Sequence, residues 1–224
     1  MALQDDDCHA LSRAIEGYSN PVAWRLYLHS NRITSQGIQP LIKSLCIPSA
    51  REGLGGTLVK LHLSDNLLAD EGCVCLARAM GAGAFPLLEE LDISSCLIAD
   101  RGVGVLADAV QSAVLPLLSS LWLDANLVGD RGCCALADGL FERPRLGEDG
   151  RPVWPLPSLC EVHLAMNQIG REGMEGLMSH LQRTNRMQQN PLLQTFNVRS
   201  QVLLTASSSQ SLAAGLVSMW SACP

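Results

Sequence analysis

The chain has 224 residues, 47% of them hydrophobic, and a net charge of −6 with a pI near 5.3. That balance argues against nucleic acid, which needs a basic stripe, and two lysines, Lys43 and Lys60, make no polybasic membrane patch. No uninterrupted apolar run reaches membrane-spanning length, and the first residues carry Asp5, Asp6 and Asp7 where a leader would be basic and then apolar.

In chain order, Asp5 to Ile15 reads as a helix closed by Gly17. Its Cys8, Leu11, Ser12 and Ile15 match Cys133, Leu136, Ala137 and Leu140 further on. Residues 1–20 are therefore expected to be a partial repeat, either an N-terminal cap or the cut edge of a longer protein. A strand follows from Ala23 to His29, with Leu26 and Leu28 pointing inward. Asn31 and Ile33 come next, then a helix marked by Gly37, Leu41 and Leu45, with Pro40 expected near its first turn, where a missing N–H does least harm. Residues 46–57 form a Pro/Gly-rich loop. Units then run from Leu58 to Met80, Leu88 to Val110, Leu118 to Leu140 and Leu159 to Leu181. Residues 141–158 hold four prolines and read as a surface loop that excludes a helix or a central strand; Trp154 within it is a loop candidate for recognition. A proline two residues before the first strand position recurs at Pro21, Pro86, Pro116, Pro157 and Pro191. It predicts a sixth strand with Leu193, Phe196 and Val198, and Gln201 at the asparagine place. The repeat domain thus spans 21–201. Residues 202–224 read as a degenerate C-terminal cap or tail, with Leu212, Leu216, Met219 and Trp220 on one helical face.

Within each unit Leu-x-x-Leu-x-Leu, as at Leu118, Leu121 and Leu123, leads to a fixed position three residues on. Asn31, Asn66, Cys96, Asn126 and Asn167 fill it at intervals of 35, 30, 30 and 41 residues. These units resemble the leucine-rich repeat in its long, ribonuclease-inhibitor-like form, over about residues 5–201. The resemblance implies an α/β solenoid, a horseshoe with a parallel inner sheet and outer helices, that serves as a non-enzymatic protein-interaction module. Two alternatives also come from the resemblance. One is a GTPase-activating protein of the Ran type, for which Arg32 after Asn31 is the nearest candidate, although the longer loop motif expected there is absent. The other is the repeat section of a nucleotide-binding leucine-rich-repeat receptor, which requires an upstream nucleotide-binding domain absent from this sequence.

Strand side chains alternate, so Leu121 and Leu123 face the core while Trp122 and Asp124 face out. Applied to every unit, this gives three outward columns. The first is Arg25, Lys60, Glu90, Ser120 and Glu161. The second is Tyr27, His62, Asp92, Trp122 and His163. The third is His29, Ser64, Ser94, Asp124 and Ala165. The first two units are basic and the middle acidic, which favours a protein partner of the reverse polarity, with Trp122 as the central anchor. A buried asparagine can both donate and accept, and so can satisfy the backbone groups left where the strand ends. Asp70, Asp100 and Asp130, each two residues before a glycine, fit helix N-caps better than a calcium column, because no second oxygen ligand recurs beside them. Ser35 can cap likewise. Arg171 cannot, so the helix after it is expected to start less firmly.

Of nine cysteines, Cys73 and Cys133 occupy the place of Ile38, Val103 and Met174, and so read as small buried hydrophobes rather than metal ligands. Without a leader, reduced thiols in the cytosol or nucleus are expected. No phosphate-cradling, nucleophile-elbow or zinc-protease motif occurs, and the outward histidines are too dispersed for a metal site. The expectation is no catalytic residue, no metal, no cofactor, no nucleic acid, no membrane, and a monomer that binds a protein.

Overall fold

The computed structural model describes residues 2–16, 24–46, 57–112, 115–141, 145–146, 152–153, 156–184 and 195–198. In chain order they form α1 (Asp5–Glu16), β1 (Trp24–Tyr27), α2 (Ser35–Leu45), β2 (Leu58–His62), α3 (Ala69–Gly81), β3 (Glu90–Asp92), α4 (Asp100–Ser112) and β4 (Ser120–Trp122). Then come α5 (Asp130–Phe141), β5 (Arg145–Leu146), β6 (Pro152–Val153), β7 (Glu161–His163), α6 (Arg171–Thr184) and β8 (Thr195–Asn197). Six strands make one parallel sheet in the order β1-β2-β3-β4-β7-β8, so each strand lies beside its predecessor in the repeat. The sixth strand expected around Phe196 is β8, paired with β7 through Val162 and Phe196. Gly17, residues 47–56, Trp154, Gln201 and the whole 202–224 segment lie outside the described residues.

Alternation places Leu26, Leu61, Leu91, Leu121 and Val162 in one register row. Leu28, Leu63, Ile93, Leu123 and Leu164 follow in a second inward row, and both rows are buried. The helices answer with buried faces at 3.6-residue spacing: Ile38, Cys73, Val103, Cys133 and Met174, then Leu41, Leu76, Leu106, Leu136 and Leu177. Each fully buried leucine stabilises by about 1.5–3 kcal/mol, but only because the next repeat covers it.

After each strand the chain reverses through a residue in the left-handed region: Ser30, Asp65, Ser95, Ala125 and Met166, with φ of 51–57°; Leu97, at φ 59°, adds a second in the third turn. That conformation costs a non-glycine residue about 1–2 kcal/mol. The following asparagine holds it. Asn126 donates from Nδ2 to Ile93 O and Leu123 O, and its Oδ1 accepts from the N–H of Cys96 and Ile98. Asn66 and Asn167 repeat the pattern, with Oδ1 accepting from Ile33 and Val128 respectively. Each amide thus ties its own strand end to the preceding repeat. Cys96 supplies only the donor half, Sγ to Leu63 O at 3.1 Å.

The aspartates work differently from the expected N-caps. Asp100 and Asp130 are themselves the first residues of α4 and α5, and Asp70 lies one residue inside α3. Their carboxylates reach one repeat onward. Asp70 Oδ1 accepts from Ala99 N at 2.8 Å, and Asp100 Oδ1 from Gly129 N at 2.6 Å. Asp130 Oδ1 accepts from Gly170 N at 2.6 Å and Gly173 N at 2.9 Å. Asp5 serves Thr34 N and Oγ1 in the same way. The helix after Arg171 is therefore capped after all, by Asp130 of the preceding repeat. The same geometry explains the glycines: a Cβ at Gly102, Gly132 or Gly173 would stand 2.6 Å from the incoming aspartate oxygen.

Two further expectations are corrected. Pro40 lies in the second turn of α2, not near the first, because Thr34 caps the helix and starts it at Ser35. The 141–158 insertion is not all surface loop: Phe141 ends α5 and is fully buried, Leu156 is fully buried, and β5 pairs antiparallel with β6 as a separate two-stranded sheet.

Candidate functional site

The sheet face opposite the helices carries the outward residues. Pairing places Arg25, Lys60, Glu90, Ser120 and Glu161 in one row, and Tyr27, His62, Asp92, Trp122 and His163 in the next, as alternation requires. Thr195 and Asn197 of β8 extend these rows. His29 and Asp124 lie just past β1 and β4, with His29 exposed and Asp124 half-buried.

The second row is an aromatic ladder. Tyr27 and His62 meet edge to face at 4.9 Å, His62 and Trp122 at 5.4 Å, and Trp122 and His163 at 6.0 Å. His62 and Trp122 belong to strands two apart, so their rings lean toward each other across the intervening Asp92. Asp92 is consequently only 8% exposed, and its Oδ1 accepts from Ser94 N. Among the outward candidates it is therefore the one held as a turn acceptor beneath its neighbours. Trp122 is half-buried and not free-standing. Its Nε1 and the Nε2 of His163 are buried without a hydrogen-bond partner among the described residues. Tyr27, at the ladder's end, is 50% exposed.

The charges of the first row largely cancel within the molecule. Glu90 takes Lys60 Nζ at 2.5 Å and His62 Nε2 at 3.2 Å. Burial alone would raise the Glu90 carboxyl; the hydrogen bonds and charges of Lys60 and His62 outweigh it and hold the pKa below its usual value. Asp124 goes the other way: burial raises its pKa, offset only in part by the Ala165 N–H at 2.6 Å and by His163, whose Nδ1 stands 3.7 Å away. Glu161 lies 3.8 Å from His163 Nε2. The polarity expected from composition, basic then acidic, is therefore internally paired between β2 and β3. Arg25 remains exposed at the first strand. Arg32 is exposed on the loop after Asn31, where its N–H donates to Leu3 O.

The cysteines expected in the core are there. Cys73, Cys96 and Cys133 are buried, and burial pushes each thiol up to about 12, so all three are protonated at neutral pH. Cys73 and Cys133 Sγ lie 3.2 and 3.5 Å from the carbonyls of Gly102 and Gly173, one repeat on. No helix among the described residues is long and apolar enough to cross a membrane.

A parallel sheet lined by L-x-x-L-x-L strands, asparagine-locked turns and outer helices defines a leucine-rich-repeat solenoid. A family model described as Leucine Rich repeat matches residues 57–77, 86–107 and 156–178, and the repeats there are of the long, helix-backed kind. Such repeats are typically protein-interaction modules, usually non-catalytic. Among solved structures, a chain described as the Leiomodin-1 Actin-Binding Site 2 is similar at a TM-score of 0.49 and 12% identity, covering 95% of this chain and 87% of that one. No curated protein matches.

Proposed function

We propose that the protein is a non-enzymatic, monomeric binding module of the cytosol or nucleus, which takes a protein partner on the outward sheet face around Tyr27, His62, Trp122 and His163. The observation that carries this reading is the ladder itself. Aromatic side chains are laid edge to face across four strands. Large aromatic residues near the middle of a face are also the commonest binding anchors. Because Glu90 is already paired with Lys60, shape and aromatic contact contribute more here than net charge. The test is quantitative affinity purification from the source cell with three baits: wild type, Trp122→Ala and Tyr27→Ala. A partner that binds the wild type should bind Trp122→Ala more weakly by about 2 kcal/mol or more. Equal recovery by all three baits would move the site off this face.

A further inference from the structure

At the α1 end of the solenoid a repeat is present without its strand among the described residues. Residues 3–5 form its turn. Leu3 N donates to Asn31 Oδ1 at 2.8 Å, as Ile33, Ile98 and Val128 donate to Asn66, Asn126 and Asn167. Arg32 N donates to Leu3 O, as Leu67 N does to Ile33 O and Leu127 N to Ile98 O. Asp5 takes Thr34 N, as Asp70 takes Ala99 N. α1 is the helix of this repeat and packs against α2. β1, however, is the end strand of the sheet and pairs with β2 alone.

Side chains and backbone mark where a further strand fits and what it must carry. Leu3 is 36% exposed, while its counterparts Ile33, Leu68, Ile98, Val128 and Ile169 are fully buried. Leu11 is only partly buried, while Leu41, Leu76, Leu106, Leu136 and Leu177 are closed off in units that have their strand. Among the described residues Asn31 Nδ2 donates only within its own turn, to Leu28 O and His29 O. Asn66 and Asn126 also reach the preceding strand, at Leu28 O and Ile93 O. Leu28 N and Ser30 N donate to His62 O and Ser64 O on the β2 side, so by alternation the Tyr27 N–H faces the open edge. An α-helix closes its own backbone bonds and cannot meet that edge, whereas an added strand can. Arg25 is exposed, and Lys60, in register with it, is taken by Glu90, so a carboxylate on the open side of Arg25 would form a favourable cross-strand pair. β3 shows the pattern required: Leu88, Leu91 and Ile93 are buried, and Glu90 faces out in register with Lys60.

We propose that the outer edge of β1 takes an extended segment of a partner protein as a parallel strand, with apolar residues over Leu3 and Leu11 and a carboxylate beside Arg25. The site uses only the backbone of Tyr27, so it is independent of the aromatic ladder and stands or falls separately. The probe is a fluorescent, end-capped peptide copying residues 86–95, which carries the β3 pattern. Its controls are a scramble of the same composition and the same peptide with lysine in place of the glutamate at position 90. Fluorescence anisotropy should show the copy binding the wild type and both controls binding roughly tenfold more weakly or worse. Leu3→Gln keeps the backbone hydrogen bonds of Leu3, and should weaken binding roughly tenfold with an unchanged circular dichroism spectrum. Arg25→Glu, at an exposed position, should reverse the preference and favour the lysine peptide. The bound copy should slow amide exchange at Tyr27, and Trp122→Ala should bind it as the wild type does. The proposal is overturned by no binding, by equal binding of the scramble, or by an Arg25→Glu protein that keeps the wild-type preference. Unchanged affinity in Leu3→Gln, unchanged exchange at Tyr27, or loss of binding in Trp122→Ala would also overturn it. A wild type that self-associates in sedimentation while Arg25→Glu stays monomeric would make a second copy of the chain the occupant, and would equally overturn it.

Discussion

Replacing Asp130 by alanine should unfold the fifth unit more readily, although Asp130 belongs to the fourth. Its Oδ1 accepts the N–H groups of Gly170 and Gly173 at 2.6 and 2.9 Å, and both glycines are buried. Hydrogen bonds to a charged group contribute about 1.5–3 kcal/mol each. The carboxylate is only half-buried, so the low end applies, and two bonds give about 3 kcal/mol. With an m-value of about 2 kcal/mol/M, the urea midpoint should fall by roughly 1.5 M, read by far-UV circular dichroism. The neighbouring Arg131 is exposed, and Arg131→Ala should stay within about 0.5 kcal/mol of wild type. Gly173→Ala alone should be costly, since its Cβ would meet Asp130 Oδ1 at 2.6 Å and Asp130 Cα at 2.9 Å. In the double variant the oxygen is gone, and only the close approach to the backbone at position 130 remains. The two effects should therefore fall short of additive by more than about 0.5 kcal/mol. An Asp130→Ala protein that melts like Arg131→Ala, or strict additivity with Gly173→Ala, would refute the inter-repeat cap.

Leu123, fully buried in the second inward row, should cost about 2–5 kcal/mol as Leu123→Ala, and an unchanged thermal melt would show the register to be wrong. Trp122→Ala should lower stability as well as binding. It removes two edge-to-face contacts worth about 0.5–1.5 kcal/mol each; a drop beyond about 4 kcal/mol would make the indole a core element instead. The thiols of Cys73, Cys96 and Cys133 should resist alkylation in the native protein and react on unfolding, by intact mass. Their folded pKa of about 12 lies above the ordinary value of 9.0, so the stability they contribute is full below pH 9.0 and is lost as pH rises toward 12. Glu90 has the opposite sign. Its lowered pKa gives stability present above the ordinary 4.5 and lost as pH falls below it, and Glu90→Gln should flatten that acid limb of the melting curve.

Strand register, the inward rows and the membership of the outward columns were legible in the sequence because they depend on local rules. Side chains alternate along a strand, and a repeat of constant length brings the same position of each unit to the same height. The asparagine places were legible for the same reason, although the identity of their partners, half of them in the preceding repeat, was not. What the sequence could not decide lies between repeats. An aspartate two residues before a glycine looks like a cap for its own helix; only the stacked structure shows that Asp70, Asp100 and Asp130 each serve the next repeat, and that the glycines clear space for them. Charges counted by unit suggested a polar gradient, but Lys60 and Glu90 stand one strand apart and cancel. Asp92 faces outward by alternation yet is covered, because His62 and Trp122 are long enough to meet above it. The exposure of Leu67, Leu97 and Leu127 was not legible, because periodicity assigns a leucine to the core unless the turn beside it is known to point that side chain outward. Local periodicity fixes which residues share a row; the size and charge of side chains meeting across rows fix what each row presents.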